Sequence, residues 1–243
     1  MVVGAIGKQR WWLSLAGAGL WVCAAPFVTG DSAVAQSAPK WLPFVDFEAK
    51  PGTKRSFGEA DIFQPLWQNG DTLLFANVRG RFDDHDSREG NAGLGLRHML
   101  ASGWNLGVYG YYDRRRTDYD NYFNQATFGG ELLGRDWDFR GNVYLPFGER
   151  VKNVDSLNTA EISGASVVFH GGEERALRGF DGEIGWRVPI FDVESDKVLR
   201  LYAGGYRFDD DVVKAVAGPR LRAEFTMLKV PGLWDGARLT LGA

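Results

Sequence analysis

The chain has 243 residues, 28 Lys plus Arg against 31 Asp plus Glu, one Cys, 32 Gly, and 9 Trp, 8 Tyr and 16 Phe. At 44% apolar and 24% charged it is too hydrophobic for a disordered tail, and it has no basic surplus with which to neutralise phosphates, so nucleic acid is excluded as a partner. One Cys cannot build a disulfide, zinc or iron–sulfur framework.

The first 35 residues read as an export signal. Lys8 and Arg10 form a short positive region, Trp11 to Val28 an apolar stretch, and Ala33-Val34-Ala35 a small-residue site, so cleavage is predicted after Ala35. Cys23 leaves with the signal. The mature chain of 208 residues keeps 26 basic and 30 acidic side chains, because Lys8, Arg10 and Asp31 are removed. A thiol-free, slightly acidic, exported chain suits an oxidising envelope compartment. Residues 36–40 are a short periplasmic lead.

From residue 41 onward the pattern has period two. In Asp136 to Pro146, Asp136, Asp138, Arg140, Asn142 and Tyr144 alternate with Trp137, Phe139, Gly141, Val143 and Leu145, which puts charge on one face of a strand and apolar surface on the other. The same alternation sets Leu74, Ala76 and Val78 against Asn77, Arg79 and Arg81, and Leu221, Ala223, Phe225 and Met227 against Arg220, Arg222 and Glu224. Strands are predicted over 43–50, 56–66, 72–82, 89–99, 104–113, 121–133, 136–146, 177–188, 197–208, 219–228 and from 237 onward. Segments of about ten residues match a tilted membrane crossing, so the fold class is all-β, a transmembrane antiparallel β-barrel rather than a soluble sandwich. Trp67, Trp104, Tyr111, Tyr112, Tyr144 and Phe147 would supply the interfacial aromatic girdles.

Connections give orientation. Tight turns at 68–71, 101–103 and 134–135 alternate with longer polar links at 83–88, 114–120 and 147–176, so the first set is expected in the periplasm, together with the mature N-terminus, and the second outside. Residues 160–170 are extended but would break this parity, and are read as part of the external excursion. Eleven strands remain, and single-chain barrels close with an even number. A fragment or shortened reading frame is the preferred account, since Leu239 to Ala243 stops within the pattern, and 160–170 as a twelfth strand is the other.

Arg55-Ser56-Phe57-Gly58-Glu59-Ala60-Asp61-Ile62-Phe63-Gln64-Pro65-Leu66, followed by Leu73 to Gly80, resembles the start of the inverse autotransporter β-domain, the outer-membrane barrel of the intimin and invasin family. Glu89 to Arg97, Gly107 to Asp113, Phe128 to Glu131 and Asp136 to Pro146 are similar to its successive strands. The resemblance covers 41–243. It implies about twelve strands, bacterial outer-membrane lipid as surroundings, periplasmic chaperones and the barrel-assembly machinery as partners, and export of a C-terminally attached surface passenger in adhesin-type secretion. A passenger is expected to be absent from residues 1–243, and the last strand is expected to be truncated.

Sites with chemistry are weak. His85 in Asp83-Asp84-His85-Asp86 matches no ligand spacing and reads as an acidic outer loop. Asp209-Asp210-Asp211 reads as a charged turn, and Gly93-Leu94-Gly95 is followed by no helix that could make a phosphate loop. Asp83, His85 and Ser87 could form a hydrolase constellation only on paper. No enzyme activity, cofactor or metal is expected. The candidate functional residues are lumen-facing: Arg79, Arg81, Asp138, Arg140, Asn142, Arg220, Arg222 and Glu224. They form either a hydrated wall along which an extended polypeptide slides, or pairs that stabilise the barrel. A passenger-free barrel acting as a passive pore or structural protein is the alternative function.

Overall fold

The structure, a computed structural model, describes residues 2–4, 19–24, 40–50, 56–163, 166–230 and 238–242. Ala33 to Ala35 and the lead to residue 39 lie outside the described residues. Twelve strands pair antiparallel in a closed ring. In chain order they are β1 (Gly19–Ala24), β2 (Phe44–Lys50), β3 (Phe57–Gln68), β4 (Thr72–Asp83), β5 (Arg88–Met99), β6 (Asn105–Arg116), β7 (Tyr122–Leu133), β8 (Trp137–Phe147), β9 (Arg178–Arg187), β10 (Lys197–Asp209), β11 (Val216–Met227) and β12 (Arg238–Gly242). Each pairs with its chain neighbours, and β12 closes on β1.

The eleven segments expected from alternation are all strands, with no bound shifted by more than three residues. The twelfth place is filled differently from either expectation. Residues 19–24, assigned from sequence to the signal, pair with β2 on one side (Val22↔Phe47) and β12 on the other (Val22↔Leu239). The physical demand is the one that prompted the count: an open edge would leave backbone groups unpaired, and any extended segment within reach relieves it.

Residues 160–170 do not cross. They belong to a hairpin of Thr159–Ser163 with Ser166–His170, separate from the ring. It lies within the long excursion 148–177, where Glu173–Ala176 pairs with Val151–Asn153 and with Val2–Gly4. The alternation of link lengths holds only in part. At the end opposite this excursion the link from β9 to β10, residues 188–196, is longer than the 84–87 turn at the excursion's own end, so it is 148–177 that distinguishes the two ends.

The ring turns its apolar faces outward. Phe47, Ile62, Val78, Leu94, Val108, Phe128, Val143, Phe180 and Leu221 are all exposed. They form a band far beyond the scattered apolar side chains of a soluble surface, which requires an apolar surrounding. Trp67, Trp137 and Trp186 lie exposed near one rim, with the Trp137 and Trp186 rings tilted against each other at 6.3 Å, and Phe82, Tyr112, Tyr122 and Phe147 near the other. Tyr111 and Tyr144 correct the expected girdle. Both share the parity of inner residues and hydrogen-bond inward, Tyr111 to Asn77 Oδ1 (3.1 Å) and Tyr144 to Asp181 Oδ2 (2.9 Å). The inner face is also less uniformly polar than expected. Phe63, Leu73 and Phe75 cluster at one end, and Leu177, Phe208 and Val216 at the other.

The long excursion is fastened to the rim. Buried Glu174 accepts hydrogen bonds from Thr117 Oγ1 (2.8 Å) and Asn121 Nδ2 (2.7 Å) of the link between β6 and β7. Arg175 donates to Glu173 (2.6 Å) and to Asp210 Oδ2 (2.9 Å). The Arg175 hydrogen bond holds the Asp210 carboxyl below its ordinary value. A carboxyl depressed in the folded state stabilises above its unfolded pKa and loses that contribution as pH falls through the folded value. Amide protection of residues 173–176 is therefore expected to be full at neutral pH and to drop only below the usual Asp range of about 4. Hydrogen exchange corrected for intrinsic rates reads this, and Arg175→Gln should weaken protection at neutral pH and remove the acid step. Equal protection at both pH values would show that this pair does not hold the loop.

Candidate functional site

The inner face between β3 and β11 carries the candidate site. Because paired residues in an antiparallel sheet share a face, register assigns it. One transverse row runs Leu73, Arg97, Gly107, Glu131, Arg140, Glu183, Gly204 and Arg220 from β4 to β11. The next runs Phe75, Gly95, Tyr109, Gly129, Asn142, Asp181, Tyr206 and Gly218. These rows hold buried Glu131, Leu73 and Phe75, which identifies the inner side.

Charges pair within the wall rather than across the barrel. On one side Arg79 donates to Asp61 Oδ2 (3.0 Å) and lies 3.2 Å from Glu59, while Arg81 meets Glu59 at 2.6 Å. Asn77 also donates to Asp61. On the other side Arg97 donates to Glu131 (2.6 Å), and Arg140 lies between Glu131 (3.6 Å) and Glu183 (3.4 Å). Arg222 donates to Glu183 (2.8 Å), pairs with Glu224 and sits 3.8 Å over the Tyr202 ring. Asp138 accepts from Arg200 (2.9 Å), Asn142 donates to Asp181 (2.7 Å), and Arg220 reaches Asp181 only at 3.9 Å.

Two glycines let side chains meet over an intervening strand. Arg97 on β5 reaches Glu131 on β7 because β6 presents Gly107 between them, and a Cβ there would lie 2.7 Å from Glu131 Cγ. Tyr109 on β6 lays its ring over Gly129 of β7 and donates to Asn142 Oδ1 of β8 (2.7 Å). A side chain at either glycine would occupy the space its neighbours use.

All eight residues singled out from sequence occur on this face, in two groups: Arg79 and Arg81 with Glu59 and Asp61, and Asp138, Arg140, Asn142, Arg220, Arg222 and Glu224 with Glu131, Asp181, Glu183 and Arg200. Sequence reasoning missed the carboxylate partners and Tyr109. Parity within each strand carried that signal, since Glu131 lies two residues from Gly129 and Glu183 two from Asp181, but pairing them needed the register.

The rim motifs hold turns together. Asp83 Oδ1 accepts the backbone N–H groups of His85 (2.9 Å) and Ser87 (2.9 Å), with Asp86 left-handed at φ 63°. Asp84 accepts from Ser56 N–H (3.0 Å) and lies 2.7 Å from His85 Nδ1, and these contacts, the backbone one first, hold its carboxyl below the ordinary value. Asp209 and Asp211 bind Arg178. Among the described residues no group of His, Cys, Asp and Glu is placed to hold a metal ion.

Comparison with known proteins supports this architecture. No curated protein matches the chain. A solved membrane protein from a study of the mechanism behind in-meso crystallization is similar over 93% of this chain and 82% of its own, at 15% identity and a TM-score of 0.52. The β domain of the Bordetella autotransporter Brka aligns over 93% of this chain and 97% of its own, at 9% identity and a TM-score of 0.28. The first likeness shows the fold, and the sequence match shows the family. The inverse autotransporter β-domain matches residues 34–202, more than half of the chain, which therefore belongs to that family of bacterial outer-membrane barrels.

Proposed function

We propose that the barrel anchors and exports a surface passenger joined to its C-terminal side, in adhesin-type secretion, after removal of residues 1–35 and with the mature N-terminus in the periplasm. The observation that carries this reading is the inner face. Its charges are neutralised by near neighbours, such as Arg79 with Asp61 and Arg97 with Glu131, so an extended polypeptide meets a polar wall whose strongest ionic partners are already engaged. Such a surface wets a passing chain without holding it. The family membership supports the same role and gives no reason to expect enzyme chemistry.

The test is an immunoblot of purified outer membranes with antibody to the barrel, comparing unheated and boiled samples. A heat-modifiable band much larger than 208 residues allow, which surface protease on intact cells trims to barrel size, is the expected result. A heat-modifiable band at barrel size would overturn export in favour of a passenger-free pore. Absence from the outer membrane would overturn both.

A further inference from the structure

We propose that the barrel lumen conducts anions in preference to cations, the permeant class being small inorganic anions and carboxylates. The inference rests on the reading of the chain as an outer-membrane barrel and does not depend on a passenger. Formal charge alone is indecisive. Near the middle of their strands, Asp61, Asp113, Asp181 and Glu183 face Arg79, Arg140, Arg220 and Arg222, four against four.

Exposure breaks the balance. The Arg79 side chain is 39% exposed where Asp61 is 17%, and Arg220 is 50% exposed where Asp181 is 17%. The same order holds in every ion pair between described inner-face residues: Arg81 over Glu59, Arg97 over Glu131, Arg115 over Glu89, Arg140 over Glu131 and Glu183, Arg200 over Asp138, and Arg222 over Glu183 and Glu224. Carboxylates lie against the wall and guanidinium groups cover them. The rim pairs are mixed by contrast: Arg178 and Arg207 are more exposed than Asp209, whereas other rim pairs reverse the order. Asp120 is 73% exposed beside Arg116 at 29%, and Glu149 outreaches Lys152.

An ion in the lumen therefore meets guanidinium first and carboxylate through it. Arginine also keeps its charge at every accessible pH and offers donors only. Rings of Arg or Lys side chains are how pores select anions, and such charges act within a Debye length of about 10 Å at 0.1 M salt.

The experiment uses purified barrel from outer membranes, reconstituted in planar bilayers across a KCl gradient kept near or below about 0.1 M, where screening is weak. The zero-current potential is expected to have the sign of chloride preference, with a Cl⁻/K⁺ permeability ratio of roughly three. Arg79→Gln with Arg220→Gln should bring the ratio to about one or below, while Arg79→Lys with Arg220→Lys should keep the chloride preference. If the Gln pair does not assemble, the sign in the unaltered protein decides alone. Potassium preference, a ratio indifferent to the Gln pair, or no conductance would each overturn the proposal. Heat-modifiable mobility of the same preparation reports separately whether the outer-membrane barrel reading stands.

Discussion

Gly129→Val should cost the barrel its stable assembly, whereas Gly130→Val, one residue along, should leave it intact. At position 129 the new Cβ runs into the ring of Tyr109 and into Asn142 Oδ1. The ring must swing away and gives up its 2.7 Å hydrogen bond to Asn142. Overpacking of this kind costs about 1–3 kcal/mol, and the lost hydrogen bond about 1 kcal/mol more. Gly130 faces outward on the same strand, and a Cβ there meets only the carbonyl oxygen of Gly107 at 3.8 Å, an ordinary contact. The effect there is expected within about 0.5 kcal/mol, aided by the strand preference of valine. Urea unfolding followed by heat-modifiable mobility distinguishes the two. Equal behaviour of the variants would show that Tyr109 does not depend on the space over Gly129.

The second large effect is expected at Glu131. This carboxylate is buried and serves Arg97 at 2.6 Å and Arg140 at 3.6 Å. Glu131→Leu leaves two guanidinium groups without it, although Arg140 keeps Glu183 and Arg97 keeps the Phe75 ring 4.9 Å away. Removing one partner of a fully buried pair costs about 3–5 kcal/mol, but both arginines are partly exposed, so about 2 kcal/mol is expected. Adding Arg97→Leu should recover part of the loss, because the uncompensated charge goes with it. A double variant no more stable than Glu131→Leu alone would assign the cost to packing instead.

The ring was largely legible in the sequence because two solvents act on each strand, and alternation records both. Asp138, Arg140 and Asn142 could be placed on one face without knowing any neighbour. Their partners could not, because register depends on the stagger of strands far apart in the chain, as with Arg97 and Glu131. Tyr109, Tyr111 and Tyr112 show the limit within one strand. Tyrosine stands at both parities there, and it is register, with the hydrogen bonds of Tyr109 to Asn142 and Tyr111 to Asn77, that separates the inward rings from the outward-facing Tyr112. Gly19–Ala24 was hidden for another reason: its composition is that of an export signal, and composition says nothing of which backbone edge needs a partner.

That same segment makes closure of the cylinder conditional. Strands β10 and β11 share twelve register pairs, and so do β6 and β7. Among the described residues, β1 shares five pairs with β2 and five with β12, and β12 shares four with β11. Cleavage after Ala35 would carry β1 away, so β2 and β12 of the exported barrel must meet each other or find a new edge before the wall can close, as a cask that loses a stave holds only when its hoop is drawn in.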